Sequence, residues 1–407
     1  MKSSTNNRLY PAHFEAVAAV LREIFLNGAY ADREISKVLK ADKRRGSKDR
    51  AFIAGTTYDV VRNYRLLRHL AGIDSPSTRE EFWRLTAAQL LLDGATLPPW
   101  KEFGGLTAKE VAERLAEIEG NRPVRQSIPD WLDQLGQEQL GTEWPATLEA
   151  LNEQAPVVLR ANRLKTSPEG VQAALRQEHI GTELIRADAL QVTERRNLFA
   201  TKAFRQGLFE VQDFSSQQAA PALDVEPGQT VVDACAGAGG KSLHLAALME
   251  NRGRLLSLDI HSWKLDELKK RARRNGVSNL ETRHISNSKV IKRLHGKADR
   301  VLLDVPCSGL GVLRRNPDAK WKLSPEFLDR VVAEQADILS RYSAMVKPGG
   351  KLVYATCSVL PRENDAQVST FLGAATGEGW SLLRKHTYLP QVEGYDGFFV
   401  SVLERDV

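Results

Sequence analysis

Apolar residues recur at helical spacing through the first third of the chain. Phe14, Val17, Ala18, Leu21, Ile24 and Phe25 fall on one face of a helix over 11–26, and Ile53, Val60, Val61, Tyr64 and Leu67 on one face of a second over 50–71. Thr107 and Glu110 form a capping-box pair that opens a third helix through Val111, Leu115 and Ile118, stopping at Gly120. The pattern predicts an all-α domain over 1–125. A helical connector containing Ile128-Pro129-Asp130-Trp131 follows, and the texture changes at Pro156. Residues 157–162 and 182–185 read as strands, and Ser167-Pro168-Glu169 as a helix start, so 126–209 is expected to be the connector plus a small α+β unit. From about residue 226 the short apolar runs VVDAC, LLSLD, RVLLDVPC and KLVYATC alternate with amphipathic helices. That alternation predicts a parallel, doubly wound α/β sheet over 210–407, with ligands bound beyond the carboxyl ends of its strands.

Composition changes this picture little. The 407 residues are 42% hydrophobic and 27% charged, the balance of a globular chain rather than a disordered or fibrous one. No apolar run reaches the roughly 18 residues a membrane helix needs. An amino terminus without the apolar core of a secretory signal, and only three cysteines, predict a reducing cytoplasm; a monomer is the default expectation. Charge is more informative. The net +6 is uneven: residues 1–75 carry 14 Lys and Arg against 8 Asp and Glu, and residues 251–300 carry 14 against 5. Two basic blocks suit a polyanionic partner such as RNA, or two solvated helix faces.

The chemistry begins where the run 231–235 meets Ala236-Gly237-Ala238-Gly239-Gly240-Lys241-Ser242. Glycines in a strand-to-helix turn let a ligand approach the backbone, and the helix amino terminus offers free N–H groups. A triphosphate-binding loop needs glycine where Cys235 stands, and a dinucleotide loop needs it where Ser242 stands. The reading that survives is the S-adenosylmethionine loop of a class I methyltransferase. Asp259 ends the next apolar run, where a carboxylate can accept both ribose hydroxyls of an adenosine. Asn287, just past the expected strand 280–284, is placed for the adenine edge.

Two further cysteines close the fourth and fifth runs, Cys307 in Asp304-Val305-Pro306-Cys307-Ser308 and Cys357 in Ala355-Thr356-Cys357-Ser358. Both thiols are thereby expected on the carboxyl rim, beside the donor. Carbon 5 of cytosine is too weak a nucleophile to take a methyl group from a sulfonium unaided, and a thiolate added to carbon 6 makes it an enamine that can. Asp304 is placed to steady the ring through its exocyclic amine and ring nitrogen, and Lys241 to lower a nearby thiol's pKa or hold phosphate.

The segments DACAGAGGKS, LLDVPCSGLGVLRRNPDAKW and LVYATCSVLPRENDAQV resemble the Sun/Nop family of RNA cytosine-5 methyltransferases, near its bacterial 16S ribosomal RNA branch. The likeness runs from about Pro156 to the end, including Val211 to Gln217 and Asp396-Gly397-Phe398-Phe399. The run Asp49-Arg50-Ala51-Phe52-Ile53 with Tyr58 and Val61-Arg62 resembles the NusB-type RNA-binding domain of some members, and 156–209 the family's small RNA-binding subdomain. The resemblance implies that Cys357 attacks carbon 6, that Cys307 assists product release, and that Asp304 holds the cytosine. It implies donor contacts from Cys235, Ala236, Gly237, Ala238, Gly239, Gly240, Lys241, Asp259, Asn287 and Asp304, and no metal. Two features, covering three positions, depart from the family pattern. Gly237 and Ala238 stand where Ala and Pro are usual, and Asn287 where an aspartate is frequent. The other readings these residues admit are a transfer RNA cytosine-5 methyltransferase and a non-catalytic RNA-binding ribosome-assembly factor that keeps the fold.

Overall fold

A computed structural model describes residues 9–407 and divides the chain into two units, one made of the chain up to Asn152 together with Arg315–Leu323, the other of Glu153–Arg314 and Ser324–Val407. The first unit is helical. Its helix Pro11–Asn27 has proline in the first turn and ends at Gly28 in the left-handed conformation, and it buries Phe14, Val17, Leu21 and Ile24. The apolar pattern over 50–71 is carried by two helices, Ser47–Arg62 and Tyr64–Ala71, because the chain turns at Asn63, whose side-chain amide donates to Gln89. Thr107 and Glu110 form the expected capping box of helix Ala108–Glu117. Residues 315–323 pack into this unit: Trp321 Nε1 donates to the Val61 carbonyl at 2.8 Å, and Lys322 Nζ to the Ala29 carbonyl at 2.9 Å.

The second unit holds two sheets. Strands β1 (Val158–Ala161), β2 (Thr182–Arg186), β3 (Ala189–Val192) and β4 (Phe209–Val211) form an antiparallel sheet in the order β2-β3-β1-β4, with helix Pro168–Gln177 packed on it. The larger sheet comprises β5 (Thr230–Asp233), β6 (Arg254–Asp259), β7 (Leu280–His284), β8 (Ala298–Asp304), β9 (Val346–Thr356), β10 (Trp380–Tyr388) and β11 (Phe398–Arg405), in the order β10-β11-β9-β8-β5-β6-β7. It is the expected doubly wound α/β sheet: β5 to β9 run parallel, and β11 alone is antiparallel to both its neighbours.

Its central strands, β5, β6, β8 and β9, are apolar on both faces, as a parallel sheet covered by helices requires. Val232, Leu256, Val301, Leu303 and Leu352 pack on one side, and Val231, Leu255, Leu302 and Val353 on the other. The winding reverses between β5 and β8. A crevice therefore opens past Asp233 and Asp304, where a ligand is expected in such a sheet. Among the described residues no helix is long and apolar enough to cross a membrane.

Candidate active site

The glycine loop is held from three directions. Its helix, Gly240–Leu248, begins at Gly239 with φ 88°, where a Cβ would come within 1.9 Å of Leu268 Cδ1, so the turn accepts only glycine. The Ala236 N–H donates to the Leu258 carbonyl at 2.8 Å, fixing the loop to β6. Arg271 Nη1 donates to the Ala238 carbonyl at 2.8 Å, and Arg160 Nη1, from β1, to the Gly240 carbonyl at 2.7 Å. Arg271 and Arg274 of helix Ser262–Asn275 also pair with the buried carboxylate of Glu210, while Lys269 and Lys270 pair with Asp266 and Glu267 on their own helix. Much of the carboxyl-terminal basic block is thus spent on structure.

Asp259, at the end of β6, accepts the Gly237 N–H at 2.9 Å on one carboxylate oxygen and the His261 N–H at 2.7 Å on the other. Each oxygen keeps a lone pair for a further donor. Asp259 and Gly237 line a cavity of about 600 Å³ together with Cys235, Asp304 and the apolar side chains of Ile260, Ile285, Val305 and Ile338. That volume suits a nucleoside cofactor. Asp259, Asp304, Glu334 and Asp337 bring four carboxylates to the wall; Asp304 is paired with Lys241 and Asp337 with Arg341, and with Lys264 counted the wall keeps a small negative excess that favours a cationic guest. Methyl donors of the sulfonium type carry that charge, and the residues present fit one.

Glu334 and Asp337 were not anticipated; they project with Ile338 from one face of helix Pro325–Tyr342, at the spacing of successive turns. Ala236, Ala238, Gly239, Gly240 and Lys241 frame the loop without lining the cavity. Asn287 does not line it either: its Oδ1 accepts the Lys289 N–H at 3.0 Å and its Nδ2 donates to Ser286.

The structure brings Cys307 and Cys357 together, with their sulfur atoms 3.1 Å apart. The hydrogen bond with Cys357, then burial and the nearby Glu363 carboxylate, push the Cys307 thiol well above its ordinary value. Burial, with Asp233 and Asp304 nearby, does the same to Cys235, which leaves that thiol inert. Lys241 Nζ lies 2.6 Å from Asp304 Oδ2 and 5.2 Å from the centre of the Phe398 ring. Burial opposes the charge of Lys241, but the Asp304 carboxylate outweighs it and raises the lysine's pKa. The Cys357 carbonyl accepts the Gly311 N–H at 2.9 Å. A Cβ at Gly311 would stand 2.0 Å from the Gly397 carbonyl oxygen, so this approach of the Cys307 loop to β11 needs glycine.

A doubly wound sheet with an antiparallel last pair, a glycine loop and acidic strand tip at its switch point, and a cavity matched to a cationic donor define a class I methyltransferase. Residues 220–404 match the family model described as 16S rRNA methyltransferase RsmB/F, and residues 128–198 match the ferredoxin-like domain of RsmF/B-like methyltransferases. The chain belongs to the RsmB/F family of ribosomal RNA methyltransferases. It is 30% identical to the probable ribosomal RNA small subunit methyltransferase B of Synechocystis sp., over 95% of this chain and 98% of that protein. To ribosomal RNA small subunit methyltransferase B of Pectobacterium carotovorum it is 33% identical, over 72% of this chain and 70% of that one. In fold it is similar to the crystal structure of PH0851, with a TM-score of 0.78 over 98% of this chain and 100% of that one, at 23% identity.

Proposed function

We propose that the protein methylates carbon 5 of a cytosine in small-subunit ribosomal RNA, using S-adenosylmethionine and a covalent adduct on Cys357. The observation that carries this reading is the pair of thiols 3.1 Å apart, with Cys307 directly following Pro306 of the donor cavity's wall. S-adenosylmethionine supplies an electrophilic methyl group. Asp259, Cys235 and Gly237 hold it, with Glu334 facing its positive charge; Asn287 contacts it only if its side chain leaves Lys289 and Ser286.

The Cys357 thiol gives its proton to water and its sulfur bonds to carbon 6; the carbon 5–carbon 6 electron pair moves onto carbon 5, which takes the methyl group, while Asp304, held by Lys241, accepts a hydrogen bond from the ring's exocyclic amine. After methylation the carbon 5 proton passes to the Cys307 thiolate, its bonding pair re-forms the carbon 5–carbon 6 double bond, and the Cys357 sulfur leaves with the carbon 6 bonding pair as a thiolate. Cys307 suits that last stage: its raised pKa keeps it protonated and out of competition for carbon 6, and its thiolate, once formed, is basic enough to take the carbon 5 proton. The helical domain 1–125 and the small sheet within 126–209 are proposed to hold the RNA.

The test is transfer of labelled methyl groups to 16S ribosomal RNA from a strain lacking the enzyme, followed by bisulfite sequencing. Wild-type protein is expected to protect one or a few cytosines and Cys357→Ala none. Full activity in Cys357→Ala would overturn the assignment, and donor-independent RNA binding without methylation would favour an assembly factor.

A further inference from the structure

Glu363 lies six residues past Cys357, beyond the end of β9, and is fully buried among neutral donors. Its carboxylate spans the two loops that bear the thiols. Oε1 accepts the backbone N–H of Ser308 at 2.7 Å and the side-chain amide of Gln335 at 3.1 Å. Oε2 accepts the hydroxyl of Ser308 at 2.5 Å and the hydroxyl of Ser358. Ser308 follows Cys307 and Ser358 follows Cys357. Gln335 also donates to the Pro306 carbonyl at 2.9 Å, and Tyr354 Oη to the Glu363 carbonyl at 2.7 Å, so the clamp is itself held on both sides. A buried carboxylate is costly unless its lone pairs are filled, and here four donors fill them.

We propose that Glu363 is a positioning residue, whose carboxylate joins the Cys307 loop to the Cys357 loop and sets the separation of the two sulfurs. The inference rests on the thiol roles given above, but its geometry does not. If reach is what matters, a side chain of the same length without charge can replace it. The amide oxygen of glutamine can take the Ser308 N–H and the Gln335 amide, while its NH₂ donates to the two serine hydroxyls, which rotate to accept. Aspartate keeps the charge and is one methylene too short to touch both loops.

The experiment compares Glu363→Asp with Glu363→Gln in the full-length protein, after thermal unfolding has shown each to be folded at the assay temperature. Steady-state methylation should give about a 100-fold lower kcat for Glu363→Asp, with KM for RNA and donor within about twofold, whereas Glu363→Gln loses less than about tenfold. Phenylarsine oxide, which bridges two adjacent thiols, reads the separation without any methyl transfer. Its affinity should fall about tenfold or more in Glu363→Asp and stay near wild type in Glu363→Gln. Equal kcat and equal arsenical affinity in both variants would overturn the clamp, and so would a Glu363→Asp that outperforms Glu363→Gln. Wild-type protein that binds the arsenical but never methylates RNA would overturn the proposed function while leaving the clamp standing.

Discussion

Replacing Asp259 with asparagine tests how the donor is held. In the native site both carboxylate oxygens accept backbone N–H groups, from Gly237 at 2.9 Å and from His261 at 2.7 Å. An amide offers one oxygen and one NH₂, so one of these bonds becomes a donor facing a donor. A hydrogen bond to a charged group contributes about 1.5–3 kcal/mol, and an unsatisfied buried N–H costs a similar amount. If only one such increment falls on the bound state, the donor's Kd rises about 10- to 150-fold. The rest falls on the free protein as a lower unfolding temperature, because Gly237 belongs to the loop itself. Titration calorimetry with S-adenosylhomocysteine, which lacks the reactive methyl group, measures the affinity apart from catalysis. A Kd within twofold of wild type, in a variant that is folded, would refute the assignment of Asp259 to the donor site.

Burial raises the Asp233 carboxyl from 3.8 to about 7 despite its bond with Ser242. The folded state therefore binds this proton more tightly than the unfolded chain, so the group's favourable contribution is full below pH 4 and is lost as pH rises through 7. The stability of Asp233→Asn relative to wild type should thus grow by about 2–3 kcal/mol between pH 5 and pH 8 in denaturant titrations, and a constant difference would contradict this. Arg271→Ala removes a partner of the buried Glu210 and the bond to the Ala238 carbonyl. Calorimetric unfolding should show a loss of about 1–3 kcal/mol together with weaker donor binding, and unchanged values for both would show that the loop stands without it. Gly311→Ala places a methyl group against the Gly397 carbonyl and should cost about 1–3 kcal/mol, with a drop in kcat since Cys357 moves with the loop. A variant that keeps wild-type stability and turnover would show that the approach has slack.

The parallel core was legible because its strands are short apolar runs set between amphipathic helices, a pattern that both faces of a buried sheet impose on sequence. The thiols were legible for a different reason: they end two of those runs, and strand ends in this architecture meet at one rim. What escaped has equally physical causes. Apolar periodicity passes through Asn63 without a break, since one turned residue does not disturb spacing on either side, and a single helix was expected where two exist. Strand β10 is mostly exposed and carries Arg384, Lys385 and His386, so it offers no apolar run to read. Residues 315–323 begin inside the segment LLDVPCSGLGVLRRNPDAKW and run two residues past it, continuous with the Cys307 motif, yet pack in the first unit; such an excursion is long-range and leaves no local period. Glu334 and Asp337 look like an ordinary polar helix face until the helix is laid along the cavity. Glu363 looks like one more acid in PRENDAQV until its four donors are counted.

The central claim is that Cys357 becomes covalently bonded to cytosine and Cys307 is needed to end that bond. Denaturing gel electrophoresis of Cys307→Ala incubated with S-adenosylmethionine and target RNA measures it directly, with mass spectrometry of the trapped band to locate the link. A denaturation-stable protein–RNA adduct at Cys357, absent in the double variant lacking both thiols, is the predicted result. An adduct at any other residue, or none alongside undiminished turnover, would contradict the account.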